Sequence, residues 1–179
     1  TGMVLSMGLM CGIVGINVGH ELGHRSSPIE QLLAKILLLS SLYMHFFIEH
    51  NRGHHKRVGT PDDPASARIN ESLYAFWIRS VFMGYRSAWE LENQRMLKNG
   101  WSRYSLKNEM VVFHLVQTGL LLAICCFIGF KSLVCFFIAA FIGILLLEAV
   151  NYIEHYGLAR RQRSDGTYGR TLHCHSWNS

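Results

Sequence analysis

Four apolar stretches constrain this chain more than any other feature of its sequence. They cover residues 1–19, 29–48, 111–129 and 133–150. The last two contain almost no charged side chains over the roughly 20 residues that a bilayer-spanning helix needs, and a short turn at residues 129–132 separates them. Because a membrane explains two such adjacent segments better than a buried soluble hairpin does, we expect an all-α fold, an integral membrane helical bundle.

The basic residues predict the orientation of the chain. Ten Lys and Arg lie in residues 52–107 and four more in residues 160–170, whereas the turn between the last two spans holds only Lys131. Short loops that are rich in Lys and Arg stay on the cytoplasmic side of a membrane. We therefore expect segments 52–107 and 159–179 to be cytoplasmic. No nucleic-acid-binding motif is present, and no nucleic-acid partner is expected.

The sequence is interpreted as a single membrane domain over residues 1–179, an internal part of a longer protein. Thr1 opens within an apolar run that has neither the basic start nor the cleavage site of a signal peptide. The five cysteines are odd in number, four of them lie in apolar runs, and no CxxC pair occurs. These features exclude a secreted disulfide scaffold and a thiolate zinc site.

The first apolar stretch carries a stripe of glycines at intervals of three or four residues. On a helix this spacing places them on one face, where the absence of side chains lets another helix approach closely. The stripe leads directly into the first histidines. Its members are Gly8, Gly12, Gly15, Gly19 and Gly23.

Ten histidines stand out in a chain of 179 residues, and six of them fall in three clusters near predicted membrane boundaries. Residues i and i+4 share one helical face about 5–6 Å apart, which suits a common metal centre. Adjacent histidines diverge by about 100° on a helix and can serve two metals at once. Imidazole without thiolate suits iron, copper, nickel or zinc, so the ligand type leaves the metal open. The clusters are His20 with His24, His50 with His54 and His55, and Asn151 with His155.

Other interpretations of the histidines account for less of the sequence. The pattern His20-Glu-Leu-Gly-His24 is similar to that of zinc proteases, but such an enzyme needs a further ligand and a soluble cleft. His45 and His114 stand alone on apolar stretches, where a histidine is usually a satisfied packing residue. A membrane metal transporter should carry polar residues midway through several spans, and residues 111–150 offer few.

The histidine clusters place a condition on residues 29–48. As one straight helix this segment would separate its ends by about 30 Å, so the first cluster could not reach the second. A pair of serines at positions 40 and 41 interrupts the aliphatic run midway, and small polar residues favour kinks. We therefore expect a broken or re-entrant pair of shorter helices here.

Four longer motifs surround the histidines: His20-Glu-Leu-Gly-His-Arg25, Glu49-His-Asn-Arg-Gly-His-His-Lys-Arg-Val-Gly-Thr-Pro-Asp-Asp-Pro-Ala-Ser-Ala-Arg68, Asn151-Tyr-Ile-Glu-His-Tyr-Gly-Leu158 and His175-Ser-Trp-Asn-Ser179. In this order and spacing they closely resemble the motifs of the integral-membrane alkane 1-monooxygenases, and the resemblance covers essentially the whole chain. Xylene monooxygenases and membrane fatty-acid desaturases share the histidine boxes but not the full sequences of these motifs.

The resemblance implies a non-haem di-iron enzyme that uses O2 to hydroxylate the terminal methyl group of medium-chain or longer n-alkanes. It implies two iron ions as cofactors, electrons from rubredoxin with rubredoxin reductase upstream, and a multi-pass protein of the bacterial inner membrane with its active site toward the cytoplasm. The basic residues of 52–107 would suit an acidic donor, although the charge bias of cytoplasmic loops alone also explains them. The alternative is a fatty-acid desaturase or hydroxylase, or a xylene monooxygenase-like enzyme, with the same boxes.

By the same resemblance the six clustered histidines are the iron ligands, and no catalytic residue is expected beyond them. The family has one more box downstream, of the form His-x-x-His-His, and this chain stops before it, so the fragment alone is expected to be inactive. His173 and His175 do not fit that box. The implied metal ligands are His20, His24, His50, His54, His55 and His155.

Polar residues beside the predicted ligands are candidates for orienting them. Carboxylates often accept the second ring N–H of a metal-bound histidine and so fix its tautomer. Asp62 and Asp63 lie in a rigid turn between two prolines and are expected to pair with nearby arginines. The candidate orienting residues are Glu21, Glu49, Asn151 and Glu154.

Overall fold

Helices make up the regular structure of this protein. The computed structural model describes residues 2–172 and 175–177, and within these residues there is no β-strand, only an isolated bridge between Gln162 and Tyr168. The expected all-α class is confirmed. In chain order the helices are α1 (Gly2–Gly23), α2 (Pro28–Leu39), α3 (residues 46–57), α4 (Leu73–Lys98), α5 (Glu109–Ile128) and α6 (Phe130–His155).

Three of these helices, α1, α5 and α6, are long and apolar enough to cross a membrane. The first continues past the predicted stretch 1–19 to Gly23 and so carries the first histidine cluster. Gly129 separates the other two at a φ of 111°, a conformation that favours glycine because a Cβ would be strained there. The expected membrane helical bundle is confirmed. The remaining apolar stretch, residues 29–48, is not among the candidate spans of the described residues.

The glycine stripe of α1 packs against two different helices. Gly8 faces α6, where an added Cβ would lie only 2.8 Å from the Cβ of Ile142. Gly19 faces α2, where an added Cβ would lie 3.3 Å from the carbonyl oxygen of Ala34. Between these two regions the π-helical segment Cys11–Ile16 widens the helix by one residue in a turn, which rotates the glycine face from one neighbour toward the other.

Residues 29–48 do not form one helix. α2 ends at Leu39 with Ser40 as its C-cap, and Leu42 has a positive φ of 53°. A residue in this conformation cannot continue a right-handed helix, so the chain turns before α3 begins at Phe46. Because of this turn, the second histidine cluster comes back toward the first.

The turn is held in place by the main hydrophobic core. The residues of this core are almost completely buried. They include side chains of α1, α2, α3 and the beginning of α5, and of the turn itself. Burial of side chains of this size contributes about 1.5–3 kcal/mol each to folding. The core includes Ile16, Leu38, Tyr43, Met44, Phe46, Phe47, Ile48, Met110 and Phe113.

α4 lies across the ends of other helices near the histidines. It begins where the Ser72 hydroxyl accepts a hydrogen bond from the backbone N–H of Ala75 at 3.3 Å. Near its other end the buried carboxylate of Glu92 accepts hydrogen bonds from Arg52 of α3 and from the backbone N–H of Glu109, both at 2.7 Å. α4 thereby joins the histidine-bearing α3 to the start of α5.

Candidate metal centre

Three helices bring histidine side chains to one cavity. The cavity has a volume of about 440 Å³, and its wall also contains apolar side chains, among them Phe46, Leu147 and Val150. The three clusters that are far apart in the sequence therefore meet in space. The cavity is lined by His20 and His24 of α1, by His50, His54 and His55 of α3, and by His155 of α6; His175, in the segment after α6, also lines it.

Four of these histidines form a first group in which the Nε2 atoms face one another. The Nε2 atom of His20 lies 2.7 Å from that of His50 and 2.9 Å from that of His24. The Nε2 atom of His55 lies 3.1 Å from that of His50. Two ligands that each lie about 2.1 Å from a shared metal ion are at most about 4.2 Å apart, so the separations among His20, His24 and His50 fit one metal position, with His55 adjacent to it through His50.

A π-helical segment explains why His55 joins His50. In an α-helix, a step of five residues leaves the second side chain about 140° around the axis from the first. In a π-helix the hydrogen bonds run from i to i+5, so residues five apart lie nearly above each other. The segment Glu49–His54 is π-helical, which places His50 and His55 together while the rings of His50 and His54 stack 5.1 Å apart.

His54 and His155 form a second group beside His50, with their ring centroids 4.8 Å apart. The Nδ1 atom of His54 lies 2.9 Å from Oδ2 of Asp63, and the Nδ1 atom of His155 lies 3.1 Å from the carbonyl oxygen of His175. A carboxylate or carbonyl oxygen only accepts hydrogen bonds, so each Nδ1 carries the hydrogen. In a neutral ring this leaves Nε2 with a free lone pair, the state that a metal ligand needs.

The electrostatics of α3 favour neutral imidazoles at the first group. Burial and the neighbouring histidines, above all His54, hold the pKa of His50 well below its usual value. The same two causes lower the pKa of His55 to about 4. His54 behaves differently: burial lowers its pKa, but the charge and hydrogen bond of Asp63 outweigh burial and raise it. Neutral imidazole is the metal-binding form, so the lowered pKa values of His50 and His55 favour binding of a cation at the first group.

The donor set fits a transition-metal ion. Ligand atoms of His20, His24 and His50 all lie within 4.8 Å of one another. No cysteine lines the cavity in the part of the chain that the structure describes. Imidazole donors without thiolate suit iron, copper, nickel and zinc, as the sequence predicts.

Two of the four candidate orienting residues come from α1 and α3. Glu21 remains beside its predicted partner, with Oε1 at 3.5 Å from Nδ1 of His20, and its side chain is largely exposed. Glu49 differs from the expectation: its buried carboxylate accepts a hydrogen bond from Arg57 at 2.7 Å and does not bond a histidine ring. Burial and Asp63 raise the pKa of Glu49 to about 7 in spite of that arginine.

The other two candidates also bond groups other than histidines. The Nδ2 atom of Asn151 donates to the buried carboxylate of Glu148 at 3.4 Å. The carboxylate of Glu154 accepts a hydrogen bond from the Ser176 hydroxyl at 3.0 Å. Both side chains border the cavity, but the bonds of these two side chains stabilise α6 and the segment after it.

Two groups that hydrogen-bond the histidine rings are not among the candidate orienting residues that the sequence predicts. Asp63 pairs with His54 and with Ser66 rather than with an arginine, contrary to the expectation, whereas Asp62 is exposed. The other group is the carbonyl oxygen of His175, a backbone atom, for which no side-chain pattern gives a signal. For Asp63 the available signal is its position in the turn that directly follows the second histidine cluster, within the same motif.

The isolated histidines lie outside the cavity lining. Both ring nitrogens of His114 have partners, the Met110 carbonyl oxygen at 2.5 Å from Nδ1 and the Tyr85 hydroxyl at 2.8 Å from Nε2, as expected for a packing residue. His45 is buried between aromatic rings, but its Nε2 atom has no hydrogen-bond partner among the described residues. His173 lies outside the described residues.

Comparison with known proteins agrees with the predicted resemblance. The whole chain, residues 1–179, matches the family model described as Fatty acid desaturase. It is 44% identical over 178 residues to alkane 1-monooxygenase 1 of Pseudomonas aeruginosa, covering 99% of this chain and 47% of that protein. It is 41% identical over 175 residues to alkane 1-monooxygenase of Acinetobacter baylyi, covering 98% of this chain and 43% of that protein.

A more distant relative is the xylene/toluene monooxygenase hydroxylase component XylM of Pseudomonas putida, 29% identical over 183 residues, with 99% of this chain and 47% of that protein covered. The chain thus spans about half the length of the curated relatives that it matches. The chain belongs to the fatty acid desaturase family, and its predicted resemblance to the alkane 1-monooxygenases within that family is confirmed.

Proposed function

We propose that the full-length protein is a non-haem di-iron alkane 1-monooxygenase. It would insert one atom of O2 into a terminal C–H bond of an n-alkane and release the other atom as water, taking up two electrons and two protons. The observation that carries the proposal is the convergence of six imidazoles from three helices on one cavity beside candidate membrane spans. The similarity to curated alkane 1-monooxygenases supports this activity over others.

The two histidine groups suggest how two iron ions would be held. The first group, around His50, offers four Nε2 atoms that face one another. The second group offers His54 and His155, whose Nδ1 atoms already have acceptors. Further ligands would come from the part of the full-length protein that this chain does not span. When bound, the iron ions would supply O2 activation and the oxidant for C–H cleavage.

The residues of this chain would orient the ligands and select the substrate. Asp63 fixes the Nδ1–H tautomer of His54, and the carbonyl oxygen of His175 does the same for His155. An alkane has no polar group, so its position must depend on the shape of apolar walls. Phe46 and Leu147 on the cavity wall are suited to such contacts.

We propose a multi-pass protein of the bacterial inner membrane, with the histidine cavity toward the cytoplasm and rubredoxin, reduced by rubredoxin reductase, as the electron donor. Support comes from a surface depression beside the first group, lined by Arg25 and Arg52 together with His24 and His55. A soluble donor that docked there would lie next to two of the proposed ligands. The charge of Arg25 beside it would steer an acidic partner, whereas Arg52 is already paired with Glu92 and Glu109.

The test uses the full-length protein in membranes or detergent. We expect about two iron ions per chain, as the proposed di-iron centre requires, and O2-dependent conversion of octane to 1-octanol when reduced rubredoxin is supplied. His50→Ala should lose iron and activity together, because His50 contacts His20 and His55 and stacks on His54. His114→Ala is the matched control, since that histidine lies outside the cavity lining and should leave the iron content unchanged.

Other results would redirect the assignment. Zinc in place of iron, or no bound metal, would remove the oxygenase proposal. Oxidation of p-xylene or of an acyl chain, without any octane oxidation, would favour the xylene monooxygenase-like or desaturase alternative. Retention of full iron content in His50→Ala would show that the first group is not the ligand set.

A further inference from the structure

α4 carries a stripe of large apolar side chains that nothing in the described structure covers along its first half. The stripe runs through Tyr74, Ile78, Phe82, Tyr85 and Trp89, at steps of four, four, three and four residues, so that all five lie on one face of the helix. Tyr74 is 73% exposed, Ile78 66% and Phe82 72%. α4 is not among the helices that are apolar enough to span a membrane, because its other faces carry charges.

Both ends of α4 are held on one side of the candidate spans. At the start, the Tyr152 hydroxyl donates to the carbonyl oxygen of Glu71 at 2.6 Å, and Phe76 packs on the same tyrosine, one turn from the end of α6. At the other end, Glu92 bonds the first backbone N–H of α5, that of Glu109. If α5 and α6 cross the membrane in succession, the start of α5 and the end of α6 lie at the same surface.

This geometry implies that α4 lies along the membrane surface at which α5 starts and α6 ends. The stretch from Phe76 to Glu92 is about 24 Å long, at about 1.5 Å per residue, and it connects two helix ends that share one side of the bilayer. The same side carries the histidine cavity, because His155 is the last residue of α6. α4 thus runs parallel to the membrane at the level of the cavity.

The stripe lies on the side of α4 that contacts a candidate membrane span. Its last two members pack on α5 at a position inside the candidate span: the Tyr85 hydroxyl bonds Nε2 of His114 at 2.8 Å, and the Trp89 ring lies 5.6 Å from the same imidazole. His114 is five residues, or about 7.5 Å, along α5 from Glu109. Since the exposed members lie on the same face, they point in the same direction as these two.

The remaining surface of α4 is suited to water and lipid headgroups. Arg86 and Glu90 form an exposed ion pair at 2.7 Å, about 80–120° around the helix from the centre of the stripe. The stripe itself contains Tyr74, Tyr85 and Trp89, and tyrosine and tryptophan are the residue types that favour membrane–water interfaces. A helix with an apolar aromatic face and a charged face lies in the interface with its apolar side among the acyl chains.

We propose that the first half of α4 is a membrane-interface anchor, with Tyr74, Ile78 and Phe82 inserted among lipid acyl chains beside the histidine cavity. This role goes beyond the proposed oxygenase activity and does not depend on it. The occupant of the exposed face is the lipid bilayer rather than another protein segment. The continuity of the stripe with side chains that pack on a candidate membrane span carries the proposal.

The test places nitroxide labels on the full-length protein in phospholipid nanodiscs, in a background with the native cysteines replaced. Ile78→Cys and Phe82→Cys report on the stripe, and Arg86→Cys and Glu90→Cys are matched controls on the charged face of the same helix. O2, which concentrates in the bilayer, and a water-soluble nickel chelate serve as collision partners. We expect the ratio of O2 to nickel accessibility to be several-fold higher at the two stripe positions than at the two controls.

Two results would overturn the proposal. High nickel accessibility at positions 78 and 82, equal to that of the controls, would place the stripe in water. Low accessibility to both reagents would show that protein covers it, either the rest of the chain or a second copy. A photoreactive benzophenone residue at position 82 gives an independent measurement without cysteine: we expect a lipid adduct, and a peptide adduct would contradict the proposal.

Discussion

The orientation of His54 depends on one carboxylate. Asp63 holds the Nδ1 atom of this histidine and is itself fixed by the hydroxyl of Ser66, which donates to the same carboxylate oxygen at 2.6 Å, and by the backbone N–H of Ala65. The charge and hydrogen bond of His54 lower the pKa of Asp63 below its usual value, although burial opposes this. The carboxylate is therefore ionised at neutral pH and ready to accept the ring N–H.

Asp63→Ala should weaken iron binding in the full-length protein by about 10–100-fold, the usual effect of removing a group that orients a ligating histidine. Asp62→Ala is the matched control, because Asp62 is the exposed neighbour in the same turn. Iron retained after graded chelator treatment measures the effect. Equal retention in both variants and the wild type would mean that Asp63 does not orient a metal ligand.

A second buried carboxylate holds three helices together. Burial raises the pKa of Glu92, but hydrogen bonds from Arg95 and from the backbone N–H of Glu109, with the charges of Arg52 and Arg95, outweigh burial and lower it. A carboxyl group whose pKa is lower in the folded state stabilises the fold above its unfolded-state pKa, about 4.5 here. That contribution is lost as the pH falls through the folded-state value.

Glu92→Gln should therefore lower the free energy of unfolding at pH 7 by about 1.5–3 kcal/mol, the range for hydrogen bonds to a charged group. The difference from the wild type should shrink as the pH falls from about 4.5 through the lower folded-state pKa, because the carboxylate is protonated first in the unfolded and then in the folded state. Thermal unfolding in detergent at several pH values measures both effects. Glu90→Gln removes the exposed ion pair with Arg86 on the same helix and should change the midpoint little. A pH-independent difference for Glu92→Gln would contradict the assignment.

At the scale of the helices, the sequence predicts what depends on composition and misses what depends on helical register. The apolar runs predict the spans, because length and the absence of charge decide whether a helix suits a bilayer. The distance between histidine clusters predicts the interruption near Ser40, because a straight helix could not bring them together. The π-helical register of Glu49–His54 has no comparable signal, and with an α-helical register His55 would not face His50.

Asp63 and His175 show the same limit at the site. Each proposed ligand histidine is visible in the motifs, whereas the hydrogen-bond acceptor of the Nδ1 atom of His54 and of His155 depends on tertiary structure. Asp63 reaches His54 only because the turn between Thr60 and Ser66 folds back over α3. The acceptor for His155 is a main-chain oxygen, which every residue possesses, so residue type carries no information about it.

The close contact between α1 and α6 allows a direct test of helix packing. Gly8→Ala should destabilise the full-length protein by about 1–3 kcal/mol, because the new methyl group would lie within 3 Å of Ile142 and the helices would have to separate. Gly119→Ala is the matched control: an added Cβ on this α5 glycine meets nothing within 4 Å among the described residues. Alanine favours a helix over glycine, so the control should be neutral or slightly stabilising.

Thermal unfolding of both variants in the same detergent gives the comparison. Similar midpoints for Gly8→Ala and Gly119→Ala would mean that α1 and α6 can separate without cost. A lower midpoint for Gly119→Ala alone would mean that the exposed face of α5 is covered in the full-length protein.

At the scale of the whole molecule, the cavity is the place where otherwise separate parts of the fold meet. α1 and α3 meet through His20 and His50, and α3 and α6 meet through His54 and His155. Without a metal, these buried imidazoles bring nitrogen lone pairs together in a confined space. A shared cation would turn that arrangement into bonds that connect all three helices, so metal binding and tertiary stability should be coupled.

Removal of the metal should therefore lower the thermal midpoint of the full-length protein as well as its activity. A ligand that binds only the folded state stabilises it by about 2.7 kcal/mol when its free concentration is about 100 times its dissociation constant. The measurement compares unfolding before and after anaerobic chelation and again after ferrous iron is restored. His114→Ala should keep the full metal-dependent shift even if its own midpoint is lower, since His114 bonds Tyr85 and Met110 outside the cavity lining. His50→Ala should lose the shift. If chelation removes the iron but leaves the wild-type midpoint unchanged, the histidine groups do not join the helices through a metal.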